Sequence, residues 1–246
     1  MSTTDVRLED CILLINKLMQ HDLKIKKDSI FNYLKIEFNE NNYFYSKLLL
    51  ISYLLFNREV NHKIIAMGAI LRYICLASQI HKYDGKYPEY PVLIGDYLYS
   101  QFFNYACKYE MYEWIDPLAK TISVMQIGYI ENLSALSHSK SEICTIAKES
   151  GSLGDISCWI GSSLAGGSPK AVTMMRELGS NLGLVFGLIN EKENNIPQQA
   201  AKILETVEQT IPLLHGICIY KDKISDLSKI VQQLKKPFYD IKVRVG

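Results

Sequence analysis

Apolar residues recur at intervals of three and four positions through most of this 246-residue chain. That spacing places them on one face of an α-helix, because the helix turns once every 3.6 residues. Alternating two-residue patterns bounded by turn residues, which would predict strands, are scarce. The sequence therefore predicts an all-α fold.

Turn residues divide the apolar pattern into about ten predicted helices. They cover residues 5–20, 28–39, 44–57, 61–82, 91–109, 115–137, 141–165, 169–190, 197–213 and 222–235. Pro169 follows Ser168, which suits a helix start because serine caps the end and proline is tolerated in the first turn. The stretch from Tyr83 to Pro91 contains two prolines and a glycine and predicts a loop. No linker of Pro, Gly or Ser separates the helices, so we expect a single helical domain over residues 1–246.

Some of these helices are apolar over wide faces, as the run 61–82 shows. A helix that is apolar around most of its circumference is usually surrounded by other helices. Small residues such as Gly68, Gly161 and Gly183 would let neighbouring helices approach closely. We expect a bundle in which the runs 61–82 and 169–190 face a central cavity.

Charge and cysteine usage disfavour several classes of protein. Lys and Arg number 27 against 26 Asp and Glu, which gives no charge excess that would favour nucleic acid or a membrane surface. The six cysteines include no CxxC pair and predict buried thiols in a reducing cytoplasm. The strongest apolar run, Leu48 to Phe56, is shorter than the roughly 20 residues of a membrane span, and acidic residues near the start oppose an export signal. We expect a cytoplasmic protein without a transmembrane segment.

Three strings in the chain resemble the trans-prenyl diphosphate synthase family. The string 76–81, Leu-Ala-Ser-Gln-Ile-His, is similar to the Ala-Ser-Leu-Ile-His that precedes the first aspartate motif of the family. The string 93–100, Leu-Ile-Gly-Asp-Tyr-Leu-Tyr-Ser, is similar to its Leu-Ala-Gly-Asp-Tyr-Leu-Leu-Ser. The string 177–186 is similar to the glycine-containing helix ahead of its second aspartate motif. The resemblance covers roughly residues 41–235 and implies an isoprenoid-synthase-like bundle.

The family joins allylic diphosphates to isopentenyl diphosphate, and its two aspartate motifs hold Mg²⁺ ions that neutralise the allylic diphosphate. At the first motif this chain has Lys82, Tyr83 and Asp84, where a lysine would repel the metal. The resemblance thus implies a degenerate first motif.

The second motif and the phosphate-binding cations are altered as well. The second motif aligns with Asn190, Glu191 and Glu193, with a lysine between the two glutamates. The early Gly-Gly-Lys-Arg string that binds isopentenyl diphosphate aligns with 41–44, Asn-Asn-Tyr-Phe, followed by Lys47. The later basic pair is missing from the short loop. We expect no metal on this chain.

Lys148 and His81 are two further residues that could belong to a site. Lys148 aligns with a lysine that contacts the allylic diphosphate, but Glu149 stands in place of the following threonine and would oppose an anion. Lys148 is therefore either a residual phosphate contact or an ordinary surface lysine. His81 precedes the loop without a Ser, Cys or second His in motif spacing, which favours a packing or capping role over catalysis.

The retained helices and the altered motifs predict a non-catalytic subunit of a hetero-oligomeric trans-prenyl diphosphate synthase. Its partner would be a catalytic homologue that carries the Mg²⁺ sites, in a heterodimer or heterotetramer, with a homodimer as the alternative state. We expect no cofactor on this chain itself. Two other hypotheses stay open: a divergent prenyltransferase or terpenoid enzyme that acts alone through Asp84, Glu191, Glu193 and Lys148, and a binding protein for a prenyl chain.

The helices that family members use for dimerisation correspond to 91–109 and 115–137. The first carries more aromatic surface than one core-facing stripe can use, since Tyr97, Phe102 and Phe103 lie close together. Aromatic residues are enriched in the cores of interfaces. These three residues are therefore the predicted interface.

Overall fold

The computed structural model describes residues 7–24, 43–82, 90–134, 139–190 and 196–245, and all regular elements in these ranges are helical. The α-helices are α1 (Leu8–Lys24), α2 (Phe44–Leu54), α3 (His62–His81), α4 (Pro91–Lys108), α5 (Ile115–Ser134), α6 (Ser139–Ile146), α7 (Ser152–Leu164), α8 (Pro169–Asn190), α9 (Ile196–Leu214) and α10 (Ile224–Val245). Short 3₁₀ turns at Tyr112–Trp114 and Lys221–Lys223 precede α5 and α10. The all-α prediction is confirmed.

Side-chain hydrogen bonds cap the starts of two helices, and the cap at Ser168 was predicted from the sequence. The backbone N–H of Ile64 donates to Oδ1 of Asn61 at 3.1 Å and so caps α3. The N–H of Ala171 donates to Oγ of Ser168 at 3.3 Å, which caps α8 with Pro169 in its first turn. The predicted helix 28–39 lies outside the described residues.

The predicted helix 141–165 contains a break that the apolar spacing did not indicate. Residues Ala147–Gly151 form a π-helix between α6 and α7. Single π turns occur mostly inside α-helices and often at functional sites. The last predicted helix also differs, because α10 continues through Pro237 to Val245 instead of ending at residue 235.

Helices α2 and α3 form the centre of the bundle. Most side chains of α3 from Ile64 to Ser78 are buried, and α2 is buried along nearly its whole length. Among the described helices, α3 alone is long and apolar enough to cross a membrane. However, 83% of its most apolar 18-residue stretch is buried inside the protein. Its apolar surface is therefore used in packing within the bundle.

Helices α7 and α8 approach each other so closely that their backbones touch. A Cβ on Gly154 would lie 2.1 Å from the carbonyl oxygen of Gly179, and a Cβ on Gly179 would lie 2.3 Å from that of Gly154. One turn further on, a Cβ on Gly183 would lie 2.2 Å from the carbonyl oxygen of Ser150 in the π-helix. Any other residue at these glycines would force the two helices apart.

A partly buried hydrogen bond joins α1 to α4. The Tyr105 hydroxyl donates to Oδ2 of Asp22 at 2.6 Å, and the Tyr105 ring also packs against Tyr73 of α3. Burial by itself would raise the pKa of Asp22, but the hydrogen bonds from Tyr105 and His21 and the charge of Lys108 outweigh it, so this pKa lies below its usual value.

We predict that Gly154→Ala lowers the free energy of unfolding by at least about 2 kcal/mol, because the new methyl group meets a backbone atom that cannot rotate away. The gain in helix propensity of about 1 kcal/mol from Gly to Ala does not offset this. Denaturant unfolding followed by circular dichroism measures the effect. The control is Gly216→Ala, where the nearest atom to the new Cβ lies 3.6 Å away. Equal stability of the two variants would contradict the close packing of α7 on α8.

We predict that Tyr105→Phe destabilises the protein by about 1.5–3 kcal/mol at pH 7, since the lost hydrogen bond has a charged acceptor. The lowered pKa of Asp22 means that this contribution is fully present above the unfolded carboxyl pKa of about 3.9 and is lost as the pH falls through the folded value. The difference from the wild type should therefore narrow on acidification. Melting temperatures between pH 7 and pH 2 test this, with the exposed Tyr112→Phe as control. A difference that stays constant with pH would refute the role of Asp22.

Candidate functional site

The ends of α3 and α8 meet at a cavity of about 180 Å³. Its wall also includes residues of α2, α5, α7 and the π-helix. The described lining residues are Tyr45, Cys75, Ser78, Gln79, Lys82, Met125, Glu149, Ser150, Leu153, Phe186, Gly187 and Asn190. The prediction that the runs 61–82 and 169–190 face a common cavity is confirmed.

An ion pair spans this cavity. Lys82, at the end of α3, donates through Nζ to Oε2 of Glu149 in the π-helix. The side chains are 31% and 13% exposed, so the carboxylate is largely removed from solvent. The Lys82 ammonium also lies 5.2 Å from the centre of the Tyr129 ring. The lysine predicted to oppose a metal and the glutamate predicted to oppose an anion therefore neutralise each other.

Lys148 points to a different partner. Its Nζ bonds to both carboxylate oxygens of Glu131 on α5, at 2.6 and 2.5 Å. Lys148 is not one of the described residues that line the cavity. Of the two roles left open for Lys148, the ion pair with Glu131 matches an ordinary structural lysine.

Most of the residues that align with the two aspartate motifs lie outside the described ranges. Tyr83, Asp84, Glu191 and Glu193 are not among the described residues. Asn190 is described, and its Nδ2 donates to the carbonyl oxygen of Phe186 one turn earlier at 2.9 Å. Within the described ranges no three His, Cys, Asp or Glu residues come together in a way that could hold a metal ion.

Aromatic residues occupy the region between α2 and α8. The rings of Phe44 and Phe186 stack with their centres 4.1 Å apart, and Tyr45 packs edge-on against both. Burial, with Cys75 and Glu149 nearby, raises the pKa of the Tyr45 hydroxyl, which therefore stays protonated. The sequence shows an aromatic residue at position 44, but it does not show that this residue stacks on Phe186 of α8.

His81 joins two of the strings that carried the family resemblance. Its imidazole packs so closely against Gly95 that a Cβ there would lie 2.0 Å from Nε2. The same nitrogen lies 3.4 Å from Oδ1 of Asp96 and 3.3 Å from the carbonyl oxygen of Val92. The ring also contacts Tyr99 edge-on. These contacts match the packing role expected for His81.

The predicted interface residues divide between core and surface. Phe102 is fully buried within this chain, so it is reassigned from the interface to the core. The spacing of aromatic residues in the sequence could not distinguish a core position from an interface position, because both kinds of position carry large apolar side chains. Phe103 is 49% exposed, and Tyr97 is partly buried against the core. Phe103 remains available to a partner.

Solved structures of known proteins share this fold, although no protein-family model and no curated protein sequence matches the chain. A polyprenyl synthase from Caulobacter crescentus is 14% identical, with a TM-score of 0.77 over 93% of this chain and 96% of that one. A geranylgeranyl pyrophosphate synthase from Lactobacillus brevis is 10% identical, with a TM-score of 0.78 over 92% and 96%. A deletion mutant of the heterotetrameric geranyl pyrophosphate synthase of mint is 16% identical, with a TM-score of 0.65 over 91% and 98%.

We predict that Lys82→Ala destabilises the chain by about 2 kcal/mol or more, because it leaves the largely buried carboxylate of Glu149 without its cation. The matched control is Lys148→Ala, whose pair with Glu131 is 37% and 44% exposed and should contribute only about 0–1 kcal/mol. Adding Glu149→Gln to Lys82→Ala should restore part of the loss. Urea unfolding of the four proteins measures these differences. Equal losses for the two lysines would show that Glu149 is not buried by the fold.

Proposed function

We propose that this chain, which has the fold of the trans-prenyl diphosphate synthases, is a non-catalytic subunit of a hetero-oligomeric synthase of that kind. The observation that carries the proposal is the ion pair between Lys82 and Glu149. An enzyme of this class needs carboxylates that are free to hold Mg²⁺ where the diphosphate lies. Here the cavity carboxylate among the described residues is already neutralised by a lysine of the same chain.

Mg²⁺ does not fit the described residues of this cavity. The remaining polar groups on its wall are hydroxyls, amides and a thiol, apart from Lys82 and Glu149. A hard divalent cation prefers several carboxylate oxygens, and the neighbouring ammonium of Lys82 opposes it. We therefore assign the metal to the catalytic partner and derive no chemical step on this chain.

The partner surface is proposed to lie on α4 and α5. Both helices carry large apolar side chains that are exposed in the single chain: Val92, Leu93 and Phe103 on α4, and Val124, Ile127 and Ile130 on α5. Exposed apolar groups on two neighbouring helices are typical of a protein interface. The heterotetrameric state of the mint enzyme supports assembly with a catalytic homologue. By this proposal the complex is cytoplasmic.

We predict that the isolated chain forms no product from an allylic diphosphate and isopentenyl diphosphate with Mg²⁺, and that it binds a catalytic homologue and changes the activity of that enzyme. Phe103→Asp should weaken the complex at least about 100-fold, because a charge would be buried without a partner. Size-exclusion chromatography with light scattering measures association, and a radiolabelled-product assay measures activity.

The control for the interface variant is Ile219→Asp. Ile219 is 65% exposed and lies between α9 and α10, where its backbone N–H donates to the carbonyl oxygen of Leu55 after α2, so it is not part of α4 or α5. Both variants should keep the circular dichroism of the wild type. Product formed by the isolated chain would instead support an enzyme that acts alone. Undiminished association of Phe103→Asp would place the interface elsewhere.

A further inference from the structure

The cavity between α3, α8 and the π-helix contains an acceptor that its surroundings leave unsatisfied. Glu149 lines this cavity, and its Oε2 is bonded to Lys82. Its second oxygen, Oε1, is buried and has no hydrogen-bond partner among the described residues. A buried carboxylate oxygen without a donor is unfavourable, so this position favours a ligand that donates a hydrogen bond.

The size of the cavity limits that ligand to a small molecule. The cavity measures about 180 Å³. An apolar cavity of about 150 Å³ in another protein binds benzene, which has about six non-hydrogen atoms. A ligand of similar size fits within this volume, whereas a prenyl chain of three or more isoprene units would extend beyond it.

The chemistry of the wall decides between charged and neutral ligands. Glu149 opposes an anion, and Lys82, which is bonded to the same carboxylate, opposes a second ammonium. A neutral hydroxyl meets neither repulsion and forms a strong hydrogen bond with a carboxylate. Apolar contacts are available from Met125, Leu153 and Phe186.

We propose that this cavity binds a short aliphatic alcohol of about five carbons, whose hydroxyl donates to Oε1 of Glu149 and whose carbon chain lies against Met125, Leu153 and Phe186. The exposed side chains of Gln79 and Asn190 are also part of the cavity wall and mark the side from which the alcohol enters. This site would distinguish the chain from a diphosphate-binding protein. The proposal uses this chain alone and does not depend on the catalytic partner.

The test is a titration of the full chain with 3-methylbutan-1-ol, followed by saturation-transfer NMR. Saturable binding is expected for the wild type. Glu149→Gln should weaken it by about tenfold or more, because the acceptor loses its charge. The matched control is Glu131→Gln, which removes a carboxylate that also pairs with a lysine but does not line the cavity. That variant should bind the alcohol like the wild type.

A second variant makes the test independent of the ion pair. Cys75→Leu adds bulk to the cavity wall while Lys82 and Glu149 themselves stay unchanged, and it should abolish binding while the helical circular dichroism is retained. Inorganic pyrophosphate should not compete with the alcohol, and a fifteen-carbon alcohol should not bind at the site. The proposal is overturned if the wild type does not bind the five-carbon alcohol, which would mean that water satisfies Glu149. Equal binding by Glu149→Gln, or competition by pyrophosphate, would overturn it as well.

Discussion

Contact between the backbones of α7 and α8 determines where the parts of the cavity lie. Gly154 and Gly179 bring the two helices together, and Gly183 brings α8 against the carbonyl oxygen of Ser150. These contacts fix the π-helix beside the last turns of α8. Glu149 belongs to that π-helix, and its carboxylate lies in the cavity wall near the end of α3. This position depends on the close approach of the two backbones. A side chain at any of these glycines would push α8 away from the residues of α7 and the π-helix that line the cavity together with it.

Much of the fold follows from local signals in the sequence. The apolar spacing predicted helices, and Ser168 followed by Pro169 marked the start of α8. The π-helix could not be predicted in this way, because it covers only the five residues Ala147–Gly151 between two α-helices, which are too few to establish an apolar spacing of their own. The continuation of α10 through Pro237 was also missed, since a proline removes one backbone donor and bends a helix but does not always end it.

The candidate site was less predictable than the fold, because its properties depend on pairs of residues far apart in the chain. Lys82 and Glu149 were each expected to disturb a metal or an anion, but their ion pair joins residues separated by 67 positions. Lys148 aligns with a phosphate-contacting lysine, but the sequence could not show that its ammonium pairs with Glu131, 17 positions away. Phe102 was assigned to an interface although it packs inside the chain. In each case the residue type was informative, and the tertiary neighbour decided its role.

The three strings that resemble the prenyl synthases contain residues that pack closely in this structure. His81, from the first string, occupies the space next to Gly95, from the second. Gly179 and Gly183, from the third, touch the backbone of α7 and the π-helix.

Such contacts restrict which residues a position accepts, whereas a residue at the edge of a cavity can change charge without moving a helix. The resemblance in these strings therefore reports on the fold. It does not report on the chemistry of the cavity, where Lys82 and Glu149 pair with each other. The charges and hydrogen bonds around the cavity determine which molecules it can bind, and the unpartnered Oε1 of Glu149 is an acceptor that a neutral donor can satisfy.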